Sequence, residues 1–175
     1  MSPLEDLLLQ FYASVADREK GVAFIDQNPT YFQELFALAC APDQQRTNIV
    51  AAWVLEKYTL EKLALLSHLF PEFLTGVAQQ KHESKRRPMI KLLYHYCKDK
   101  KRRESIDHTQ RDQIVTLCFD YMLEAEKAAA LAFSMKTLHF FRNHEDWIEG
   151  ELLAYIEQRL PNSSTGFQSV VRQIS

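Results

Sequence analysis

Apolar residues recur along most of the chain with the spacing of amphipathic helices. Near the start, Leu4, Leu7, Leu8 and Phe11 follow the i, i+3, i+4, i+7 order of a helix with one apolar face. Four glycines and six prolines among 175 residues leave little material for hairpins. The pattern therefore predicts an all-α fold.

The helical pattern also returns on itself about every 41 residues. This period lies in the range of repeats that are built from two helices. The register predicts that structurally equivalent positions are occupied by Phe32, Phe73 and Ile114, by Leu35, Gly76 and Leu117, and by Phe36, Val77 and Cys118.

Two kinds of helix alternate within this period. The run 49–55 is apolar almost all round, and a helix with so little polar surface is packed on several sides. Proline interrupts a helix least in its first turn, so we expect Pro88 in or near a first turn. Inner helices are predicted at 43–58, 84–98 and 127–142, stacked side by side, with Trp53, Tyr96 and Leu138 mostly buried.

The alternation of an amphipathic outer helix with an apolar inner one, as in NPTYFQELFALAC followed by DQQRTNIVAAWVLEKY, resembles HEAT and armadillo repeats. The resemblance covers roughly residues 28–160. It implies a right-handed α–α superhelix of about four helix pairs, which binds partners on its concave face. It implies no catalytic residue in this chain.

The resemblance and the composition together predict one repeat domain at 1–160, followed by a linker and a C-terminal capping helix at 161–175. The segment 161–166 is rich in turn-forming residues. In the capping helix, apolar residues again follow helical spacing, and we expect them to dock on the helix that carries Tyr155 and Ile156. These residues are Phe167, Val170, Val171 and Ile174.

Three local boundaries can also be predicted. The segment 98–104, which has no apolar residue, is expected to be a loop or a frayed helix end. Thr109 and Asp112 resemble a capping pair for the helix that follows. Asn143 is expected to cap the helix that begins near Trp147.

The chain carries a net charge of −2, but its charges are unevenly distributed. Residues 81–103 contain 10 basic and 2 acidic residues, and the segments on either side are acidic. Binding to an acidic partner should therefore be local. The cysteines, Cys40, Cys97 and Cys118, lie in apolar runs without metal-binding spacing, and we expect them to be reduced core residues.

No uncharged run approaches the ~18 residues of a membrane span, so no membrane partner is expected. The N-terminus carries Glu5 and Asp6 where a signal peptide would carry positive charge. The expected location is cytoplasmic.

The basic segment places several cations on one face of the predicted helix 84–98. In the neighbouring repeats, the matching exposed positions are Asn48 and Glu56 on one side and Lys136 and His139 on the other. We predict a binding surface for an acidic protein, and a solvated charged face remains the alternative. The predicted contact residues are Arg87, Lys91, His95, Lys98, Lys136 and His139.

Nucleic acid is a second possible partner, with Tyr94 as an aromatic that could stack on a base. The sequence pI near 6.3 argues against it, because dedicated nucleic-acid domains usually exceed about 9.

A repair enzyme is the enzymatic alternative, because DNA glycosylases of HEAT-like architecture use tryptophans and an acidic residue. Trp53, Trp147 and Glu151 are the residues that this chain offers. The six histidines show no HExxH motif or paired spacing, and no Walker, GxSxG or GxGxxG motif is present. The sequence therefore predicts no catalytic residue, no cofactor and no metal ligand.

Overall fold

The computed structural model describes residues 1–12, 14–125 and 128–175. Within these residues the regular structure consists of 11 α-helices and three short 3-10 helices, without a strand. The all-α prediction is confirmed. The chain forms two compact units, Met1–Leu92 and Leu93–Ser175, and the boundary between them lies within one helix, α6.

The first unit is built from five helices and the start of a sixth. Residues 43–45, before α4, form a short polar connection. The helices are α1 (Pro3–Leu9), α2 (Val15–Gln27), α3 (Phe32–Cys40), α4 (Arg46–Thr59), α5 (Phe70–Gln79) and the first part of α6 (Glu83–Lys98), with 3-10 helices at Pro29–Tyr31 and Leu63–Leu69.

Helix α4 is the centre of the first unit, because α1, α2 and α3 all pack against it. Its buried side chains lie on several sides of the helix, as the apolar run predicted. They include Val50, Ala51, Val54 and Leu55. The first predicted inner helix is therefore confirmed, although it begins three residues later than expected.

Burial agrees with the 41-residue register at Leu35, Gly76 and Leu117, which are all buried, whereas Phe32 is half-buried and its counterparts Phe73 and Ile114 are buried. In the first unit, Gly76 of α5 packs directly against Cys40 of α3. A Cβ atom on Gly76 would lie 2.6 Å from the Cys40 sulfur and 3.2 Å from its Cα. Only glycine leaves room for these two helices to pack at this distance.

Pro88 lies inside α6, beyond its first turn, where the sequence did not place it. Proline has no N–H, so the carbonyl of Ser84, four residues earlier, loses its helical partner. The indole Nε1 of Trp53 on α4 donates to that carbonyl at 2.8 Å. Trp53 is thus half-buried and not mostly buried as predicted, and its polar atom replaces the donor that proline lacks.

Buried polar side chains hold the C-terminal end of α3. The Gln80 amide donates to the carbonyls of Gly76 (2.7 Å), Cys40 (3.2 Å) and Ala41 (3.3 Å). Lys85 is fully buried, and its Nζ donates to the carbonyls of Ala41 and Asp43. These donors satisfy carbonyls that the helix itself leaves without a partner.

The second unit is organised around α9, against which α8, α10 and α11 pack. Tyr96 and Leu138 are buried, as predicted. The predicted start of the third inner helix at Lys127 lies outside the described residues. The helices are the end of α6, α7 (Lys100–Glu104), α8 (His108–Glu124), α9 (Ala128–Phe140), α10 (Asp146–Arg159) and α11 (Thr165–Ile174), with a 3-10 helix at Leu160–Asn162.

The C-terminal helix α11 docks through Phe167 and Val170, which are buried. Its main neighbour is α9, whereas the sequence prediction placed it on the helix that carries Tyr155 and Ile156. The predicted linker is reduced, because the 3-10 helix and α11 take up most of it.

The local boundaries differ from the predictions. Part of segment 98–104 forms the short helix α7, which Asp99 caps by accepting from the Arg102 N–H. Asp107 and Gln110 form the capping box of α8, so the predicted pair of Thr109 and Asp112 is wrong.

The three cysteines are free, and Cys97 and Cys118 are buried as predicted, whereas Cys40 is half-buried. Burial raises the pKa of all three thiols, and that of Cys40 reaches about 12. Since the thiolate is the reactive form, these residues are unreactive at neutral pH.

The pairing of Trp53 with Ser84 predicts an energetic coupling to Pro88. Trp53→Phe removes the indole donor, and we expect it to lower the free energy of unfolding by ~1–3 kcal/mol, because the Ser84 carbonyl loses its partner. In a Pro88→Ala background, the alanine N–H donates to the Ser84 carbonyl. Trp53→Phe should then lower the free energy of unfolding by a smaller amount. Urea unfolding of the double-mutant cycle measures this coupling. Equal costs in both backgrounds would contradict the compensation.

Lys85 predicts a pH dependence of stability. Burial lowers the pKa of Lys85, although the nearby Asp43 carboxylate and Cys40 oppose the effect. Between the lowered pKa and the ordinary value of about 10.4, the unfolded state binds more protons, so stability rises with pH. The free energy of unfolding of the wild type, minus that of Lys85→Met, should therefore become more positive as the pH rises through this window. A difference that does not change with pH would exclude the effect.

Candidate functional site

The basic residues of segment 81–103 occupy very different environments. Lys85 and Arg86 are buried, and Arg86 Nε donates to the Gln80 carbonyl at 2.8 Å. These two cations therefore hold the fold together and are inaccessible to a partner.

Two of the predicted contact residues lie in the first unit. Arg87 is exposed, whereas Lys91 is half-buried and forms an ion pair with Glu56. Asn48, which was expected at an exposed matching position, is only 4% exposed. In this unit, Arg87 is the more accessible cation of the predicted face.

Aromatic rings and cations form a continuous patch in the second unit. The Tyr94 ring lies 5.4 Å from Phe133 and stacks on Phe140 at 5.9 Å with an interplanar angle of 17°. Lys136 Nζ lies 5.9 Å from the Tyr94 ring centre, and the Arg103 guanidinium lies 4.8 Å from that of Phe140. All five side chains are half-buried. We call these five residues the aromatic–cation patch.

The other predicted contact residues of this unit differ in their relation to the patch. The His95 ring adjoins it, 5.1 Å from Tyr94 and 6.4 Å from Phe133, and Lys98 is exposed. Burial, and next the positive charge of Arg142, lower the pKa of His139. His139 is therefore neutral at pH 7 and adds no positive charge to the surface.

A second group of functional side chains, also in the second unit, was not predicted. His108 and Asp112 lie one turn apart at the start of α8, and His144 and Glu145 immediately precede α10. One potential ligand atom from each residue can be chosen so that all four lie within 4.8 Å of one another. We call this group the His108 cluster.

Asp112 connects the two histidines of the cluster. Its Oδ1 lies 2.7 Å from His144 Nε2, and its Oδ2 lies 3.2 Å from His108 Nδ1. The hydrogen bond with His144, and next the positive potential of the histidines, lower the pKa of Asp112 below its ordinary value. This carboxylate is therefore ionised at neutral pH.

Glu145 is placed by an unusual helix start. It is the N-cap residue of α10 in place of the predicted Asn143, but its side chain makes no capping hydrogen bond. Its Oε1 instead lies 3.7 Å from His108 Nε2. A cavity of about 320 Å³ borders the cluster, and Trp147, Thr116 and Val115 line it together with cluster residues.

The sequence did contain one signal for this cluster. His108 and Asp112 are four residues apart, which places both on one face of a helix. No two histidines of the chain have that spacing, and here a histidine is paired with a carboxylate instead. The other half of the cluster is 32 residues further along the chain and follows only from the fold.

The two tryptophans expected for a repair enzyme have contacts within the fold, and Glu151 is exposed. The Trp53 indole is bonded to the Ser84 carbonyl, and the Arg18 guanidinium lies 5.4 Å from its ring centre. Trp147 is 53% exposed and stacks on Phe119 at 5.7 Å. Trp53 is therefore already occupied by contacts within the fold.

None of the described helices combines the length and apolarity that crossing a membrane requires. Neither the curated proteins nor the solved structures contain a significant match to this chain. A family model described as a HEAT repeat domain, in contrast, matches residues 9–175. The match covers nearly the whole chain and agrees with its helical architecture. The chain belongs to the HEAT repeat domain family.

Proposed function

We propose that this HEAT repeat protein is an interaction module that binds an acidic surface of another protein through the aromatic–cation patch. The observation that carries the proposal is the set of three half-buried rings, Tyr94, Phe133 and Phe140, with Lys136 and Arg103 held close to them. HEAT repeats are scaffolds that typically present such surfaces to partners.

The patch has the composition of an energetic centre of an interface. Aromatic residues and arginine dominate the binding energy of many protein complexes, because they bury large areas in well-packed contacts. Here the rings are already packed against one another, so little side-chain entropy remains to be lost on binding. The cations add positive potential where an acidic partner would approach.

The remaining predicted contact residues have supporting roles in this proposal. Arg87 and Lys98, which are exposed, would increase the rate of association with an acidic partner. His95, which adjoins the patch, would extend the contact, and His139 would contribute as a neutral group. Lys91, in the first unit, is a separate contact residue in this proposal. The three free cysteines favour a reducing compartment, and we therefore propose that the protein works in the cytoplasm.

The experiment compares two substitutions with the same change of charge. Lys136→Glu alters the patch, and Lys100→Glu alters an exposed lysine, 79% accessible, on α7. Proteins that the wild type retains from a nuclease-treated extract are identified, and their affinities are measured at two salt concentrations. We expect Lys136→Glu to weaken binding roughly tenfold, about 1.4 kcal/mol, and Lys100→Glu to have a smaller effect.

Two outcomes would contradict the proposal. One is a partner whose affinity ignores both Lys136→Glu and salt, since exposed charges are screened beyond ~8–10 Å at 0.1–0.15 M ionic strength. The other is loss of all binding after nuclease treatment, which would identify nucleic acid as the partner. Thermal unfolding of both variants checks that a loss of binding is not a loss of the fold.

A further inference from the structure

We propose that the His108 cluster binds one zinc ion, with one ligand atom each from His108, Asp112, His144 and Glu145. The proposal concerns different residues from the aromatic–cation patch and does not depend on it.

The donor set matches the chemistry of zinc. Zinc sites in proteins are usually tetrahedral and are built from histidine nitrogens, thiolates and carboxylate oxygens. Two imidazoles with two carboxylates suit zinc better than magnesium or calcium, which prefer sites of oxygen alone.

The distances require only small movements. Tetrahedral bonds of about 2.0–2.1 Å place neighbouring ligand atoms roughly 3.3 Å apart. The four ligand atoms lie within 4.8 Å of one another, and the His144–Asp112 pair is at 2.7 Å. His108 and Asp112 have side chains that are 71% and 53% exposed, so rotation about their χ angles can close the remaining gap.

Two features indicate that the side chains of the cluster are placed to bind a ligand, and not only to form hydrogen bonds with one another. The His144 side chain is only 7% exposed, so its Nε2 is held in place toward Asp112. Glu145 occupies an N-cap position, where a side chain normally accepts from the helix N–H groups, yet its carboxylate is near His108. The absence of that capping bond leaves the carboxylate available as a ligand.

A bound ion would join α8 to α10. Both helices pack on α9, and their direct links include the stacking of Phe119 on Trp147 and the hydrogen bond from the Tyr155 hydroxyl to the Met122 carbonyl. Zinc coordinated from the start of α8 and from the residues before α10 would add a further link between the two helices. Because the folded cluster alone assembles all four ligands, zinc should stabilise the folded chain.

The test uses cobalt as a spectroscopic probe and zinc as a competitor. The full chain, treated with a chelator and dialysed, is titrated with Co²⁺, which absorbs intensely in the visible range when it is tetrahedral. We expect saturation at one equivalent, loss of the absorption on addition of one equivalent of Zn²⁺, and a zinc-dependent rise in melting temperature.

Matched variants identify the ligands. His108→Ala and Glu145→Gln change exposed residues, so both should fold and should weaken Co²⁺ binding at least tenfold. His68→Ala removes an exposed histidine of the first unit and should bind like the wild type. Weak octahedral Co²⁺ absorption in the wild type, or tetrahedral absorption that survives both cluster variants, would overturn the proposal.

Discussion

The first unit depends on how α6 begins. Pro88 removes a helical donor, and two buried cations, Lys85 and Arg86, enter the packed interior close to it. Each of these features would be destabilising alone, since buried polar groups without partners cost free energy. Here each is matched: Trp53 donates to the Ser84 carbonyl, and the cations donate to carbonyls that helix ends and loops leave open. The packing of α6 against α3 and α4 is therefore specified by polar contacts as well as by apolar area.

The same segment explains how a basic stretch divides its residues between folding and binding. Charge alone does not distinguish Arg86 from Arg87, which are adjacent in sequence but buried and exposed respectively. The helical period turns one side chain toward the interior and the next toward solvent. In the second unit, Lys136 and Arg103 have a third environment, close to aromatic rings and partly accessible. A partner can contact only the part of each side chain that the packing leaves accessible.

The sequence was sufficient to predict the helical class, the repeat period and two helices on which others pack, because apolar periodicity records which faces are buried. Burial of Leu35, Gly76 and Leu117 follows from that periodicity. It does not reveal that the Trp53 N–H compensates for Pro88, because the two residues meet only after packing. The His108 cluster was missed for the same reason, since His144 comes from another helix boundary. The patch was partly anticipated through Lys136 and Tyr94, but Phe133 and Phe140 resembled ordinary core residues.

The most direct measurement of the central claim compares Arg86→Gln with Arg87→Gln by urea unfolding. Both substitutions remove one positive charge from neighbouring positions of α6. We expect Arg86→Gln to lower the free energy of unfolding by ~1–3 kcal/mol, because the buried Gln80 carbonyl loses its donor. Arg87→Gln should change it by no more than about 0.5 kcal/mol. Equal effects of the two substitutions would contradict the account, since they would show that charge, and not position in the packing, determines what these residues do.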